Sequence, residues 1–297
     1  MSALRLGLGT VQFGTDYGVS NARGRVPEDE VAALLAEALD AGIALIDTAP
    51  AYGDAEAVLG RALPRDRPVR LITKTLGAAD MAADPDAIER HLDASLARLG
   101  RASVDGLLVH HGHALLGPHG ERHLAALERI RADGRAGKIG VSIYDSGELD
   151  GILEVFAPEI VQLPVNVADQ RMIASGTISW LAAAGIEVHA RSLFLQGLLL
   201  TPPDALPAPF APVRPKFAAI AAAAARDGLT PLEFCLAFAF ANPDIAVPLV
   251  GVAGLDELRQ ILSAARKAAE IAPETTGLGI DDSDWVDPSR WKARGLV

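Results

Sequence analysis

The sequence predicts an α/β protein in which eight strand–helix units close into a (β/α)8 TIM barrel. Short apolar runs alternate with amphipathic segments along the chain, and eight such runs can be counted. Eight units joined by right-handed crossovers close most simply into a barrel, and barrels of this kind typically take about 250 residues. The chain of 297 residues is long enough, so we expect a single domain over residues 1–297.

An open doubly wound sheet is the alternative fold for the same alternation. A sheet of that kind would bind a dinucleotide at a Gly-rich turn between its first strand and its first helix. The glycines near the first apolar run, Gly7, Gly9 and Gly14, lack the G-x-G-x-x-G spacing of such a turn. The barrel is therefore the predicted fold.

The predicted strands and helices follow one another in chain order. The strands are the apolar runs 6–11, 43–46, 69–73, 104–109, 139–141, 160–163, 186–190 and 247–250. Helices are predicted for the periodic segments 27–41, 85–99, 119–136, 146–156 and 172–184. The first two helices carry start signals, because Pro27 precedes two acidic residues and Asp84 precedes Pro85.

Two segments do not follow this repeat. The segment 197–215 carries six prolines between Pro202 and Pro215, which predicts a semi-rigid excursion over the barrel mouth. The tail 272–297 is polar and contains two tryptophans, so it either folds back as a lid or stays loose. A third tryptophan, Trp180, lies in a predicted helix and is expected in the core.

The composition narrows the function classes. The net charge of −11, from 38 acidic and 27 basic residues, argues against nucleic acid or an anionic membrane as a partner. The lone Cys235 excludes an internal disulfide framework and reads as a small core residue. No signal peptide and no apolar run of membrane-spanning length is found, so we expect a soluble, cytoplasmic protein. The sequence leaves the oligomeric state open.

Polar side chains stand at the ends of three consecutive predicted strands. The second apolar run stops at Asp47, with Tyr52 five residues later, and the next two runs end in Lys74 and His110. Taken singly, each residue more often has a structural role, such as capping or packing. A barrel would bring all four to one mouth, where a carboxylate could compensate the buried lysine.

This constellation resembles the aldo-keto reductase family. The resemblance is carried by Asp47-Thr-Ala-x-x-Tyr52-Gly53, by Thr73-Lys74 and by Asp105-x-x-x-x-His110, and it extends over a core from residue 6 to about 262. Members of the family are (β/α)8 barrels that bind a nicotinamide dinucleotide without a Rossmann domain. The resemblance implies that Tyr52 donates a proton, that Lys74 and Asp47 tune it, and that His110 orients the carbonyl of the substrate.

The resemblance also implies a set of cofactor contacts. Ser142 and Gln162 should meet the nicotinamide amide, and the other predicted contacts are Arg191, Ser192, Gln196, Gly251 and Arg259. The chain departs from the family at Ile143, where an asparagine is usual, and at Arg191, where a tyrosine commonly stacks on the nicotinamide. The loop up to Glu257 is apolar and acidic where members that prefer NADPH offer cations. NADP(H) is thus the family default, and NAD(H) remains an alternative.

The substrate is expected to be a small carbonyl compound that is reduced to an alcohol in a reversible reaction, and the few aromatic and several polar loop residues favour a polyol or sugar type. Tyr17, His111 and Trp285 are the candidate substrate contacts, and no metal is expected in this interpretation.

Two alternative functions stay open. His111 and His113 could begin the site of a metal-dependent barrel hydrolase, although His189 is then expected to point outward and no further ligand is evident. The chain could also be a nucleotide-binding barrel with little turnover.

Overall fold

The computed structural model describes residues 4–84 and 86–296. Within these ranges eight parallel strands pair in chain order and close into a barrel, because the first strand also pairs with the last. The strands are β1 (Gly7–Gly9), β2 (Leu45–Asp47), β3 (Arg70–Lys74), β4 (Val104–Val109), β5 (Ala136–Ser142), β6 (Ile160–Pro164), β7 (Glu187–Arg191) and β8 (Val247–Gly251). The predicted (β/α)8 fold is confirmed.

Helices cover the outside of the barrel and connect successive strands. They are α1 (Val11–Gly14), α2 (Glu28–Asp40), α3 (Ala55–Ala62), α4 (Ala78–Ala83), α5 (Ile88–Leu99), α6 (Gly120–Ala132), α7 (Ser146–Val155), α8 (Arg171–Ala174), α9 (Thr177–Ala183), α10 (Arg214–Arg226), α11 (Pro231–Ala241), α12 (Leu255–Ala268), α13 (Ser283–Val286) and α14 (Pro288–Trp291). Local sequence explains several of their ends. Thr230 and Glu233 form a capping box at the start of α11, and Gly100 ends α5 with a φ of 62°.

Two helix predictions needed correction, and one short helix between β3 and β4 was missed. The helix predicted over 85–99 begins at Ile88, and the proposed start at Pro85 lies outside the described residues. The short helix α4 precedes it and was not predicted. The helix predicted over 172–184 is two helices, α8 and α9, because Gly176 between them has a φ of 74°, outside the helical region.

The interior of the barrel is layered along its axis. At the floor, Glu187 accepts hydrogen bonds from Arg70 and Lys138 on the non-adjacent strands β3 and β5, so these side chains point inward. Above them lies a buried apolar layer composed of Leu45, Ile72, Leu108, Ile160, Val247 and Leu249. At the mouth, Gln162 of β6 donates to Asp47 of β2 across the interior.

His189 belongs to this interior. It is the register partner of Gln162, and neighbouring residues in register face the same side of a sheet. Its Nε2 donates to Glu187 Oε1 at 3.0 Å, and the side chain is fully buried. The prediction that His189 points outward was wrong, since β7 places its odd-numbered residues inside the barrel.

The proline-rich segment and the tail pack against each other. The segment forms short 3-10 helices over Leu195–Leu200, Pro203–Ala205 and Ala208–Val213. Trp291 of the tail is fully buried, with its ring centroid 5.1 Å from that of Phe210 in an edge-to-face arrangement. The tail is therefore docked along the barrel rather than loose.

Two predictions about single side chains have opposite outcomes. Cys235 is buried, as predicted. Trp180 is 52% exposed, so its assignment to the core was wrong. Among residues 4–84 and 86–296, no helix combines the length and the apolar character that a membrane crossing requires.

Candidate active site

Asp47 and Lys74 form a buried ion pair at the mouth of the barrel. They are the last residues of the adjacent strands β2 and β3, and Lys74 Nζ lies 2.6 Å from Asp47 Oδ1. Lys74 also donates to the Thr48 carbonyl at 2.9 Å, and Asp47 Oδ2 accepts from Gln162 Nε2 at 2.8 Å. Burial favours the neutral amine, but the charge of Asp47 outweighs it and raises the pKa of Lys74. The lysine therefore stays an ammonium.

Tyr52 lies on the loop after β2 and contacts this pair. Its ring centroid is 5.1 Å from Lys74 Nζ. Burial raises the pKa of the Tyr52 phenol, and the ammonium of Lys74 offsets part of this rise. Tyr52 is thus a protonated phenol at neutral pH with a cation beside it. That is the state of a general acid.

His110 follows β4 and stands edge-on to Tyr52, with ring centroids 6.0 Å apart. Burial lowers the pKa of His110 to about 3, and the positive charge of Lys74 contributes to the decrease. The imidazole is therefore neutral. Nδ1 of His110 is buried and has no hydrogen-bond partner among the described residues, so Nε2 is the ring nitrogen left to meet a ligand.

A cavity of about 490 Å³ opens above these four residues. Six of the predicted cofactor contacts line it, namely Ser142, Gln162, Arg191, Ser192, Gln196 and Gly251. Arg259 does not, because its guanidinium pairs with Glu37 at 3.0 Å and faces Asp256 at 3.6 Å. Glu257, the acidic residue of that loop, does line the cavity.

Of the three candidate substrate contacts, one lines the cavity and two do not. Tyr17 lines the cavity and accepts a hydrogen bond from Gln196 Nε2 at 3.2 Å, and burial raises the pKa of its phenol to about 12. His111 does not line the cavity. Trp285 packs on Phe210, with ring centroids 6.4 Å apart, and lies outside the cavity wall, as does the rest of the described tail. The tail thus does not cover the cavity as a lid.

The loop after β7 has an unusual backbone. Ser192, Leu195 and Gln196 have φ values of 62°, 46° and 54°, which are costly for residues with a Cβ atom. Gly197 follows with a φ of 88°, and a Cβ atom there would lie 1.6 Å from Ser20 Oγ. The glycine therefore allows the loops after β1 and β7 to meet at the mouth, where Ser20 N donates to the Gln196 carbonyl at 3.4 Å.

Sequence reasoning missed several residues of the wall, and Tyr144 is one that contacts a predicted residue. Tyr144 lines the cavity, and Cζ of Arg191 lies 4.1 Å from its ring centroid. Tyr144 follows Ser142 by two residues, and that spacing was the available signal. All 3 tyrosines of the chain, Tyr17, Tyr52 and Tyr144, face this cavity.

The histidine cluster at His111 and His113 has the carboxylate of Glu148 beside it. His113 Nδ1 lies 3.6 Å from Glu148 Oε1, and the His111 and His113 ring centroids are 5.8 Å apart. Within residues 4–84 and 86–296, no group of three or more His, Cys, Asp or Glu side chains is placed to hold a metal ion.

The mouth of this parallel barrel thus joins a buried Asp–Lys pair to a tyrosine and a neutral histidine. The family model described as "Aldo/keto reductase family" matches residues 5–274. The chain therefore belongs to the aldo/keto reductase family, and the resemblance inferred from its motifs is confirmed. This membership replaces the hydrolase alternative.

Several curated proteins are similar to the chain. An aldo-keto reductase of Mycobacterium sp. (strain MCS) is 34% identical over 168 residues, which cover 52% of this chain and 56% of the relative. Matches to three mycobacterial relatives span 51%, 56% and 64% of their lengths. A protein named 6-dehydroglucose reductase, from Novosphingobium aromaticivorans, is 26% identical over 246 residues, 77% of each chain.

Solved structures show the same fold. An aldo-keto reductase from Bacillus halodurans, in its holo form, aligns with a TM-score of 0.72 at 18% identity over 94% of both chains. An aldo/keto reductase from Klebsiella pneumoniae, described as a complex with NADP and acetate, aligns with a TM-score of 0.66 at 25% identity. That alignment covers 92% of this chain and 88% of the other.

Proposed function

We propose that the chain is an NAD(P)-dependent enzyme that reduces an aldehyde or ketone to an alcohol, with Tyr52 as the proton donor. The observation that carries the proposal is the buried Asp47–Lys74 pair, which holds an ammonium beside the Tyr52 phenol. A lysine buried without a chemical task would be costly, and a hydrophobic residue would pack there at least as well. Family membership supports the reaction class.

The side chains of the site have separate tasks in this reaction. The nicotinamide supplies a hydride to the carbonyl carbon when it is bound. Tyr52 gives its phenolic proton to the carbonyl oxygen, and Lys74 stabilises the phenolate that results. Asp47 keeps Lys74 charged and aimed, since it accepts from Nζ at 2.6 Å. Neutral His110 donates from Nε2 to the carbonyl oxygen and holds it within reach of Tyr52.

The wall of the cavity fits a nicotinamide cofactor. Ser142 and Gln162 are register partners on β5 and β6, so a hydroxyl and a side-chain amide stand side by side to hold the nicotinamide amide. Gln12 also lines the cavity, and its buried Oε1 has no partner among the described residues. NADP(H) is the proposed cofactor. Glu257 is the feature that favours NAD(H), because a carboxylate near the 2′-phosphate would repel it.

The substrate is proposed to be a small carbonyl compound, and a sugar-like or polyol skeleton suits the polar wall. The name of the relative from Novosphingobium aromaticivorans supports a sugar aldehyde as one candidate. A screen of aldehydes, keto-sugars and sugars with NADPH and NADH identifies the preferred compound. A barrel that binds the nucleotide without turnover would oxidise neither cofactor with any of them.

Replacing Tyr52 by phenylalanine tests the proton donor. Tyr52→Phe removes the proton and leaves the ring, so kcat for carbonyl reduction should fall by a factor of about 100 to 10,000. The dissociation constants of NADPH and NADH, measured by fluorescence titration, should change less than about twofold, since no phenolic contact to the cofactor is invoked. Turnover that is unchanged in Tyr52→Phe would refute Tyr52 as the proton donor.

A further inference from the structure

Arg191 places an uncompensated positive charge in the cavity. The charged side chains that line the cavity in the described part of the chain are Asp47, Arg191 and Glu257. Asp47 is neutralised by Lys74, and Glu257 accepts a hydrogen bond from the backbone N–H of Ala253 at 2.8 Å. Arg191 has no carboxylate within ion-pair distance in residues 4–84 and 86–296. A half-buried cation without a counter-ion is unfavourable unless a ligand supplies one.

The guanidinium of Arg191 is held in place without using all its donors. One terminal nitrogen donates to the Ile143 carbonyl at 3.0 Å, and the other reaches Ser192 Oγ at 3.4 Å. Cζ of the guanidinium lies over the Tyr144 ring, 4.1 Å from its centroid. Because an arginine has five N–H donors, several remain for a ligand. The side chain is thus oriented before any ligand arrives, which reduces the entropy lost on binding.

Arg191 lines the cavity together with the candidate catalytic residues. It ends β7, and it lines the same cavity as Tyr52 and His110. Burial raises the pKa of Tyr52 and lowers the pKa of His110, and the positive charge of Arg191 is a smaller contribution that acts downward on each. A ligand group bound by Arg191 would therefore share this cavity with a carbonyl placed at Tyr52 and His110.

We propose that Arg191 binds a carboxylate of the substrate, so that the carbonyl compound reduced here is an oxo acid. The inference rests on the proposed carbonyl reduction and specifies its substrate class. A planar guanidinium pairs well with a carboxylate, and one carboxylate balances its single unmatched charge. A phosphate dianion would leave one negative charge unmatched in a cavity that Glu257 also lines.

Matched pairs of substrates test this assignment. Glyoxylate, 4-oxobutanoate and 5-oxopentanoate are each compared with their methyl esters, which keep the carbonyl and remove the charge. The wild-type chain should reduce at least one acid with a kcat/KM well above that of its ester. In Arg191→Gln the ratio of acid to ester should fall by about 10- to 100-fold, the effect of losing hydrogen bonds to a charged group. Arg191→Lys keeps the positive charge but lacks the paired N–H donors of a guanidinium. It should therefore restore part of the acid-to-ester ratio.

A control variant and a binding measurement complete the experiment. Arg266→Gln removes the same charge from the exposed face of α12 and should leave the ratio unchanged. The rise in Tm that butanoate produces, relative to butanamide, reports carboxylate binding without turnover. It should be present in the wild-type chain and absent in Arg191→Gln.

Three results would overturn the proposal. Equal kcat/KM for acids and esters in the wild-type chain would refute it and leave carbonyl reduction standing. A loss shared by acids and esters in Arg191→Gln, with weaker NADPH binding, would assign Arg191 to the cofactor instead. If no carbonyl compound is reduced at all, the proposed function fails. The Tm shift then decides about the carboxylate site, and a shift that is absent, or equal in both chains, excludes it.

Discussion

At the scale of single residues, burial sets the protonation states of the site. Burial raises the pKa of Tyr52 and lowers the pKa of His110, so both rings are in their neutral forms at neutral pH. Lys74 is the exception, because the charge of Asp47 keeps it protonated in spite of its burial. The Asp47–Lys74 pair and the charge of Arg191 therefore act on two neutral reacting groups in the proposed mechanism.

The neutral state of His110 leads to a prediction about pH. With a folded-state pKa of about 3 in place of 6.5, His110 should contribute no ionisation to kcat/KM for reduction between about pH 5 and 9. The unfolded chain, in contrast, binds a proton on this side chain below about pH 6.5. Stability should therefore fall as the pH drops from 6.5 towards 3.

Urea denaturation of the wild-type chain and of His110→Gln at two pH values measures this effect. The loss of unfolding free energy between pH 7 and pH 5 should be smaller in the variant by about 2 kcal/mol, since glutamine does not titrate. Equal losses in both chains would mean that His110 is protonated in the folded state.

Part of the site could be predicted from the sequence, residue by residue. Asp47, Tyr52, Lys74 and His110 were predicted, because each stands at or just after a strand end and such ends converge in a barrel. The contact between Arg191 and Tyr144 was not predicted. It depends on how two long side chains bend towards each other from β7 and from the loop after β5, and strand periodicity carries no such information.

At the scale of elements, Glu187 joins three strands at the barrel floor. Its carboxylate accepts from Arg70 on β3, Lys138 on β5 and His189 on β7. Burial alone would raise the pKa of Glu187, but the hydrogen bonds from His189, Lys138 and Arg70 outweigh it and hold the pKa well below its usual range. A carboxyl with a depressed pKa stabilises the fold above its unfolded-state pKa, and this contribution is lost as the pH falls below that value.

Replacing Glu187 by glutamine should destabilise the barrel. Glu187→Gln leaves Arg70 and Lys138 facing each other without a counter-charge, and breaking a buried pair costs about 3–5 kcal/mol. The side chains of Arg70 and Lys138 are 40% and 42% exposed, so solvent screening reduces the expected loss to about 2 kcal/mol.

Chemical denaturation at pH 7 measures this loss. Glu154→Gln removes the same charge from an exposed position and should change stability by less than about 0.5 kcal/mol. If the two variants are equally stable, Glu187 has no special role at the floor.

Element boundaries were predicted less well than element types. Every predicted strand exists, because short, nearly continuous apolar runs are typical of buried parallel strands. The single helix predicted over 172–184 is broken, since a periodicity of 3.6 continues through Gly176 although the backbone does not. The helix α4 was missed because its sequence, Ala-Ala-Asp-Met-Ala-Ala, has one large apolar residue, Met81, and therefore no readable period.

At the scale of the whole molecule, the tail is part of the folded unit. Ile280 N donates to the Ala168 carbonyl at 2.7 Å, and Trp291 fills a buried position against Phe210 of the proline-rich segment. The sequence left open whether the tail docks or stays loose. Its docking depends on a contact between segments about 80 positions apart, which local patterns do not encode.

Removing the Trp291 ring should therefore lower global stability. Trp291→Ala should reduce the free energy of unfolding by about 3–5 kcal/mol, the usual cost of emptying a buried aromatic site. Trp180→Ala is the matched control, and its loss should be much smaller because that ring is 52% exposed. Denaturation curves of both variants provide the measurement, and similar losses in the two would show that the tail contributes little.

The apolar layer between the floor and the mouth has a consequence for the movement of protons through the barrel. Leu45, Ile72, Leu108, Ile160, Val247 and Leu249 separate the charges around Glu187 from those around Lys74. Aliphatic side chains relay no protons, so this layer blocks proton transfer along the axis of the barrel. In the proposed mechanism, the proton that restores Tyr52 after each turnover therefore enters through the mouth of the barrel, as the substrate does. Substitutions at the floor can consequently stabilise the barrel without changing the chemistry at its mouth.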